Sequence, residues 1–166
     1  MYSVQQLQAL DYLLKRLVND SSFAIHKKNL KLVIAVNNSL WHGDFIQMDS
    51  VYVKQLSIDD SGDIEYDRFS ATSSNAITLL KNIWDTFVSK TTSTSHWSNP
   101  FRRIDNLPLL FEILLKILND TDIPDDPSPF HPYLLNAKSL DDNISLPFMN
   151  LQGEQIKLIS IIEVES

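Results

Sequence analysis

The chain has no cysteine and only three glycines, Gly43, Gly62 and Gly153, in 166 residues. The first absence removes disulfides, thiolate-bound zinc and cysteine nucleophiles. The second removes the glycine-rich loops of P-loop and dinucleotide sites, where backbone must approach phosphate without an intervening side chain. No two glycines lie four apart, so the G-x-S-x-G elbow of serine hydrolases is missing as well. Histidine is sparse: His26, His42, His96 and His131 are each more than ten residues from the next, and no HExxH occurs. Zinc ligands generally come at helical or short-loop spacing. No metal and no cofactor are expected.

Long apolar runs are missing too. The longest candidate, Leu107 to Leu118, is interrupted by Glu112 and Lys116 and falls short of the ~18–20 residues of a membrane span. The first residues show no basic stretch leading into an apolar one, the pattern of a secretory signal. The expectation is a cytoplasmic protein with no membrane partner.

What the chain does have is apolar bulk and negative charge. Hydrophobic residues make up 43% of it, which suits one globular domain spanning residues 1–166. Lys and Arg number 14 against 21 Asp and Glu, a net charge of −7. Residues 1–40 carry +3 and residues 41–166 carry −10. Such a surface repels nucleic acid and anionic lipid and steers a basic partner towards itself.

Hydrophobic spacing predicts three helices. Ser3 caps the first, which runs to about Asn19 on Val4, Leu7, Leu10, Leu13, Leu14, Leu17 and Val18. Gln8, Asp11, Lys15 and Arg16 fall on its remaining surface, with Asp11 and Lys15 as an i, i+4 pair. Ser73 or Ser74 caps the second, to about Ser89, with Ile77, Leu80, Ile83, Trp84, Phe87 and Val88 as its buried stripe. Asn106 caps the third, with Pro108 in the first turn, where its missing N–H costs little. That helix is apolar almost all round and is read as buried in the core. A competing reading puts Leu109, Leu110 and Ile113 in a subunit interface.

Strands are expected at Leu30–Asn37, at 44–58 and Ile64–Ala71 around an Asp59-Asp60-Ser61-Gly62-Asp63 turn, and at Ile144–Leu151 and Gln155–Val164 around Gln152-Gly153-Glu154. Asn37-Asn38-Ser39 is read as a break. Residues 119–142 are read as a long acidic connection in which Pro124, Pro127, Pro129 and Pro132 exclude regular structure. The order of elements gives an α+β fold with a mainly antiparallel sheet, and the first apolar strand is paired with the last.

The sequence offers weak chemistry. The Asp59–Asp67 stretch fails as a calcium loop: with Gly62 sixth, Ser57 falls first and Arg68 twelfth, where an acid and a bidentate Glu are needed. His42 and Asp44, read as a turn after the first strand, have the composition of an acid–base pair. His96, Arg102 and Arg103 could hold a phosphate or carboxylate. These five residues support an alternative reading, a small hydrolase or transferase with a non-standard His/Asp/Arg site. The leading reading is a non-enzymatic protein-binding module of the immunity-protein or chaperone type. It would meet a basic partner through Asp59, Asp60 and Asp63 of the turn or Asp122, Asp125 and Asp126 of the proline connection.

Overall fold

The computed structural model describes residues 2–45, 51–70, 74–91, 100–122 and 133–165. Helix α1 (Val4–Val18) opens with the Ser3 capping box: Ser3 Oγ accepts the Gln6 N–H, and the Gln6 side chain accepts the Ser3 N–H. Its leucines 7, 10, 13, 14 and 17 are fully buried, each contributing ~2 kcal/mol of apolar burial. Gln8 and Asp11 are buried with them, so the surface position read for these two residues is wrong. Asp11 lies between Leu7 at i−4 and Leu14 at i+3, on the apolar stripe itself. Helix α1 packs against both other helices and the sheet, which leaves it little solvent-facing surface.

The sheet is antiparallel throughout, in the order β6-β5-β2-β1-β7. Strand β1 (Leu30–Val36) is interior, and it pairs with the last strand, β7 (Ile156–Glu163), as read from the sequence. Asn37 and Asn38 do not simply break it. Both have positive φ, 50° and 68°, and form the two-residue turn that folds β1 back onto β2 (Ser39–Phe45). Trp41 to Asp44, read as a turn, therefore lie within a central strand.

Strand β5 (Tyr133–Ser139) corrects the reading of 119–142. It starts directly after Pro132 and sits inside the sheet, between β2 and β6 (Ser145–Asn150). Proline constrains its own φ and the residue before it, not the residues that follow. Residues 123–132 of the connection lie outside the described residues.

The expected hairpin between the last two strands does not form. Strands β6 and β7 occupy opposite edges of the sheet and run parallel to each other. Burial of the last strand is also partial: Ile156 and Ile161 are buried, while Ile159 is exposed. The connector of five residues limits the geometry. In a flat sheet it would cross four strand spacings, ~19 Å, while climbing the length of a strand. Six Cα steps reach at most ~21 Å even when fully extended. This connector is shortened further by a turn in which the Glu154 N–H donates to the Leu151 carbonyl. The sheet must therefore coil until its edges approach.

Two register shifts allow the coiling. One places Ile159 as an extra residue opposite Val33/Ile34. The other sets Asn136 and Ala137 against Gly43, with Asn136 at φ 51°. A Cβ on Gly43 would lie 2.7 Å from the Leu135 carbonyl oxygen and 2.9 Å from Leu134 Cγ. Glycine is required here for close approach of backbone.

Helix α2 (Ser74–Thr91) buries Leu79, Leu80, Ile83 and Phe87. Helix α3 (Leu107–Asn119) is capped by Asn106, whose Oδ1 accepts the Leu109 N–H. Leu110, Leu114, Ile117 and Leu118 fill the core, but Leu109 is 50% exposed, so α3 is buried on one face rather than all round. Leu110 is thus unavailable to the interface that was the competing reading for this helix.

Strands β3 (Val51–Ile58) and β4 (Ile64–Ser70) form a separate two-stranded sheet. The first arm starts at Val51 rather than at residue 44, since Asp44 and Phe45 belong to β2. Among the described residues, no other element makes more than marginal contact with this hairpin. This hairpin, called the arm below, lies in the chain between β2 and α2.

Candidate functional site

Two places concentrate charged or accessible groups. The first is where α1 meets the end of β2. Directly paired residues of antiparallel strands share a face, so Val33, His42 and Lys138 lie together across β1, β2 and β5, with Asp44 two residues beyond His42 on that face. The lysines take up Asp44. Lys31 Nζ bonds Asp44 Oδ1, and Lys15 Nζ lies 3.0 Å from the same oxygen. Lys15 also donates to Asp11 Oδ2 at 2.7 Å. That oxygen further accepts the Phe45 N–H at 3.3 Å. Asp11 Oδ1 is buried with no hydrogen-bond partner among the described residues.

The electrostatics follow from burial and pairing. Burial pushes the Asp11 carboxyl up to about 6, against the opposing pull of Lys15. Burial acts in the same sense on Asp44, but hydrogen bonds and charge from Lys31 and Lys15 outweigh it and hold that carboxyl below its usual range. Burial also opposes the charge on Lys15, yet Asp11 and Asp44 together raise it. Burial, then the charges of Lys138 and Lys31, lower the His42 imidazole. It is neutral at pH 7, and its Nδ1 is buried without a hydrogen-bond partner among the described residues. With Asp44 held by two lysines, the arrangement functions as a charge network joining α1, β1 and β2.

The second place is the tip of the arm. Ile58 and Ile64 pair across the two strands and are 64% and 59% exposed. Between them, Asp59 organises the turn. Its Oδ1 accepts the Ser61 N–H at 2.9 Å, the Ser61 hydroxyl at 2.7 Å and the Asp63 N–H at 2.9 Å. Gly62 supplies the positive φ of 88° that the turn needs. The hydrogen bonds from Ser61, followed by that from Asp63, lower the Asp59 carboxyl below its ordinary range. Every residue from 57 to 64 is exposed, Asp60 and Asp63 included.

The remaining candidates are dispersed. Asp122 is exposed just beyond α3, and its carbonyl accepts the Asn82 side chain at 3.1 Å. Asp125, Asp126 and His96 lie outside the described residues. Arg102 and Arg103 are exposed on a short 3-10 helix, Pro100–Arg103, where the Arg102 carbonyl accepts the Ala24 N–H at 2.8 Å. Among the described residues, no hydrogen bond or ion pair joins either arginine to His42 or Asp44. Sequence reasoning missed Asp11, Lys15 and Lys31 as members of the Asp44 network. The available signal was the position of Asp11 within the leucine stripe.

Compared with protein-family models, curated proteins and solved structures, the chain matches none. No helix among the described residues is long and apolar enough to cross a membrane. No group of three or more metal-ligating side chains occurs among them.

Proposed function

We propose that the protein is a non-enzymatic binding module that meets a basic partner protein through the tip of the β3–β4 arm. The observation that carries this reading is that β3 and β4 form a two-stranded sheet of their own, ending in an exposed acidic turn held by hydrogen bonds. The hydrogen bonds of Asp59 fix the turn before binding, so little ordering entropy is lost on association. Ile58 and Ile64 give the tip an apolar contact, and Asp60 and Asp63 flank it with charge. A basic surface with an apolar recess matches that chemistry: the charges steer the encounter and the isoleucines slow dissociation. The net charge of −7 favours the same class of partner.

The test is capture from native extract on immobilised protein, followed by elution in a salt gradient. One stoichiometric basic protein that elutes as salt rises supports the reading. A partner retained at high salt, or none retained at low salt, contradicts it.

A further inference from the structure

Among the residues whose burial is described, Asp11 is the one buried carboxylate, at 1% exposure. It ties α1 to the last residue of β2 through the Phe45 N–H, six residues ahead of the start of the arm. An ionised carboxylate has about four lone-pair sites to satisfy. Here both donors, Lys15 Nζ and the Phe45 N–H, converge on Oδ2, and Oδ1 is buried with none. The groups facing this junction are Lys15 on the same helix, Asp44 and His42 on β2, Lys31 on β1, and Lys138 on β5 beside His42. Lys15 favours the ionised form of Asp11, and Asp44 opposes it.

We propose that Asp11 is a proton-operated latch between α1 and the end of β2, tighter with its carboxyl protonated than ionised. When the contact opens, water reaches Oδ1, and that hydration benefits the ionised form most. Opening therefore becomes easier as Asp11 loses its proton. Burial moves that loss up to about 6, just below neutrality. The latch works independently of what the arm binds.

The experiment is amide hydrogen exchange on the whole chain between pH 5 and pH 7.5, corrected for intrinsic rates, together with a carbon-13 titration of the Asp11 carboxyl. Leu114, buried in α3, reports global opening. The latch predicts a carboxyl that titrates near 6 and a Phe45 protection factor that falls about tenfold across this range. Leu114 protection should change far less, and Asp11→Asn should abolish the Phe45 step. An Asp11 carboxyl that titrates near 4 overturns the proposal in the native chain, whether or not the variant folds. So does Phe45 protection that is flat with pH, or that falls in parallel with Leu114.

Discussion

Replacing Gly43 by alanine puts a methyl carbon 2.7 Å from the Leu135 carbonyl oxygen, with Leu134 Cγ at 2.9 Å and Cδ1 at 3.2 Å. Real Cβ atoms do not approach backbone oxygen that closely, so something must move. Leu134 is fully buried, and the Leu135 carbonyl belongs to an interior strand beside the Asn136 irregularity. Neither can yield without disturbing the register that lets the sheet coil. Overpacking of this kind costs ~1–3 kcal/mol. The loss of unfolded-chain entropy that accompanies Gly→Ala offsets only ~0.4–1 kcal/mol of it. Gly43→Ala should therefore destabilise by about 1–2 kcal/mol and lower the urea midpoint by roughly 0.5–1 M for a slope near 2 kcal/mol/M. Gly153 is the control. It has φ +74° and nothing within 4 Å of its absent Cβ, so Gly153→Ala suffers backbone strain alone, ~1–2 kcal/mol. Asparagine tolerates that conformation, so Gly153→Asn should recover most of the loss, whereas Gly43→Asn should be worse than Gly43→Ala. A Gly43→Ala protein as stable as the parent, or one rescued by asparagine, would refute the close-packed junction of β2 and β5.

Where structure followed from neighbouring residues, it was legible in the sequence. The caps at Ser3 and Asn106, the leucine periodicity of α1 and the Asp59–Gly62 turn needed nothing beyond local chemistry. What escaped depended on distant partners. Strand β7 reads as the second arm of a hairpin until β1 claims it, and β6 goes to the other edge because β5 is there. Gly43 and Asn37-Asn38 look like loop residues, since nothing local reveals that one faces a neighbouring carbonyl and the other two form a tight turn. Asp11 looked exposed because charge outweighed its position between Leu7 and Leu14. Of the candidate residues, His42 and Asp44 do share a face, but the lysines that hold Asp44 come from α1 and β1.

The Asp11 network makes a stability prediction. A carboxyl whose folded pKa of about 6 exceeds its usual 3.8 binds more protons folded than unfolded, so its stabilising contribution is full below pH 4 and is lost as pH rises through 6. Urea unfolding should show Asp11→Asn gaining roughly 2–2.5 kcal/mol relative to the parent between pH 4 and pH 7.5; a difference constant with pH would contradict the buried carboxylate. Lys15→Met leaves that carboxylate without its cation and should cost ~3–5 kcal/mol at pH 7.5 but much less at pH 5, where the carboxyl is protonated. In the Asn37-Asn38 turn both residues have positive φ, so Asn38→Gly should be neutral or stabilising by a few tenths of a kcal/mol, while Asn38→Val should lose ~1–2 kcal/mol. Equal midpoints for those two variants would argue against the turn.

The binding reading is tested most directly by the affinity of the captured partner for the parent chain and for the triple variant Asp59→Asn, Asp60→Asn, Asp63→Asn, measured by calorimetry at low and at physiological salt. Loss of these three exposed charges should weaken binding by roughly three- to a hundredfold in the triple variant and flatten its salt dependence. Equal affinity and an equal salt response in the two proteins would place the interface elsewhere and contradict the account of the arm.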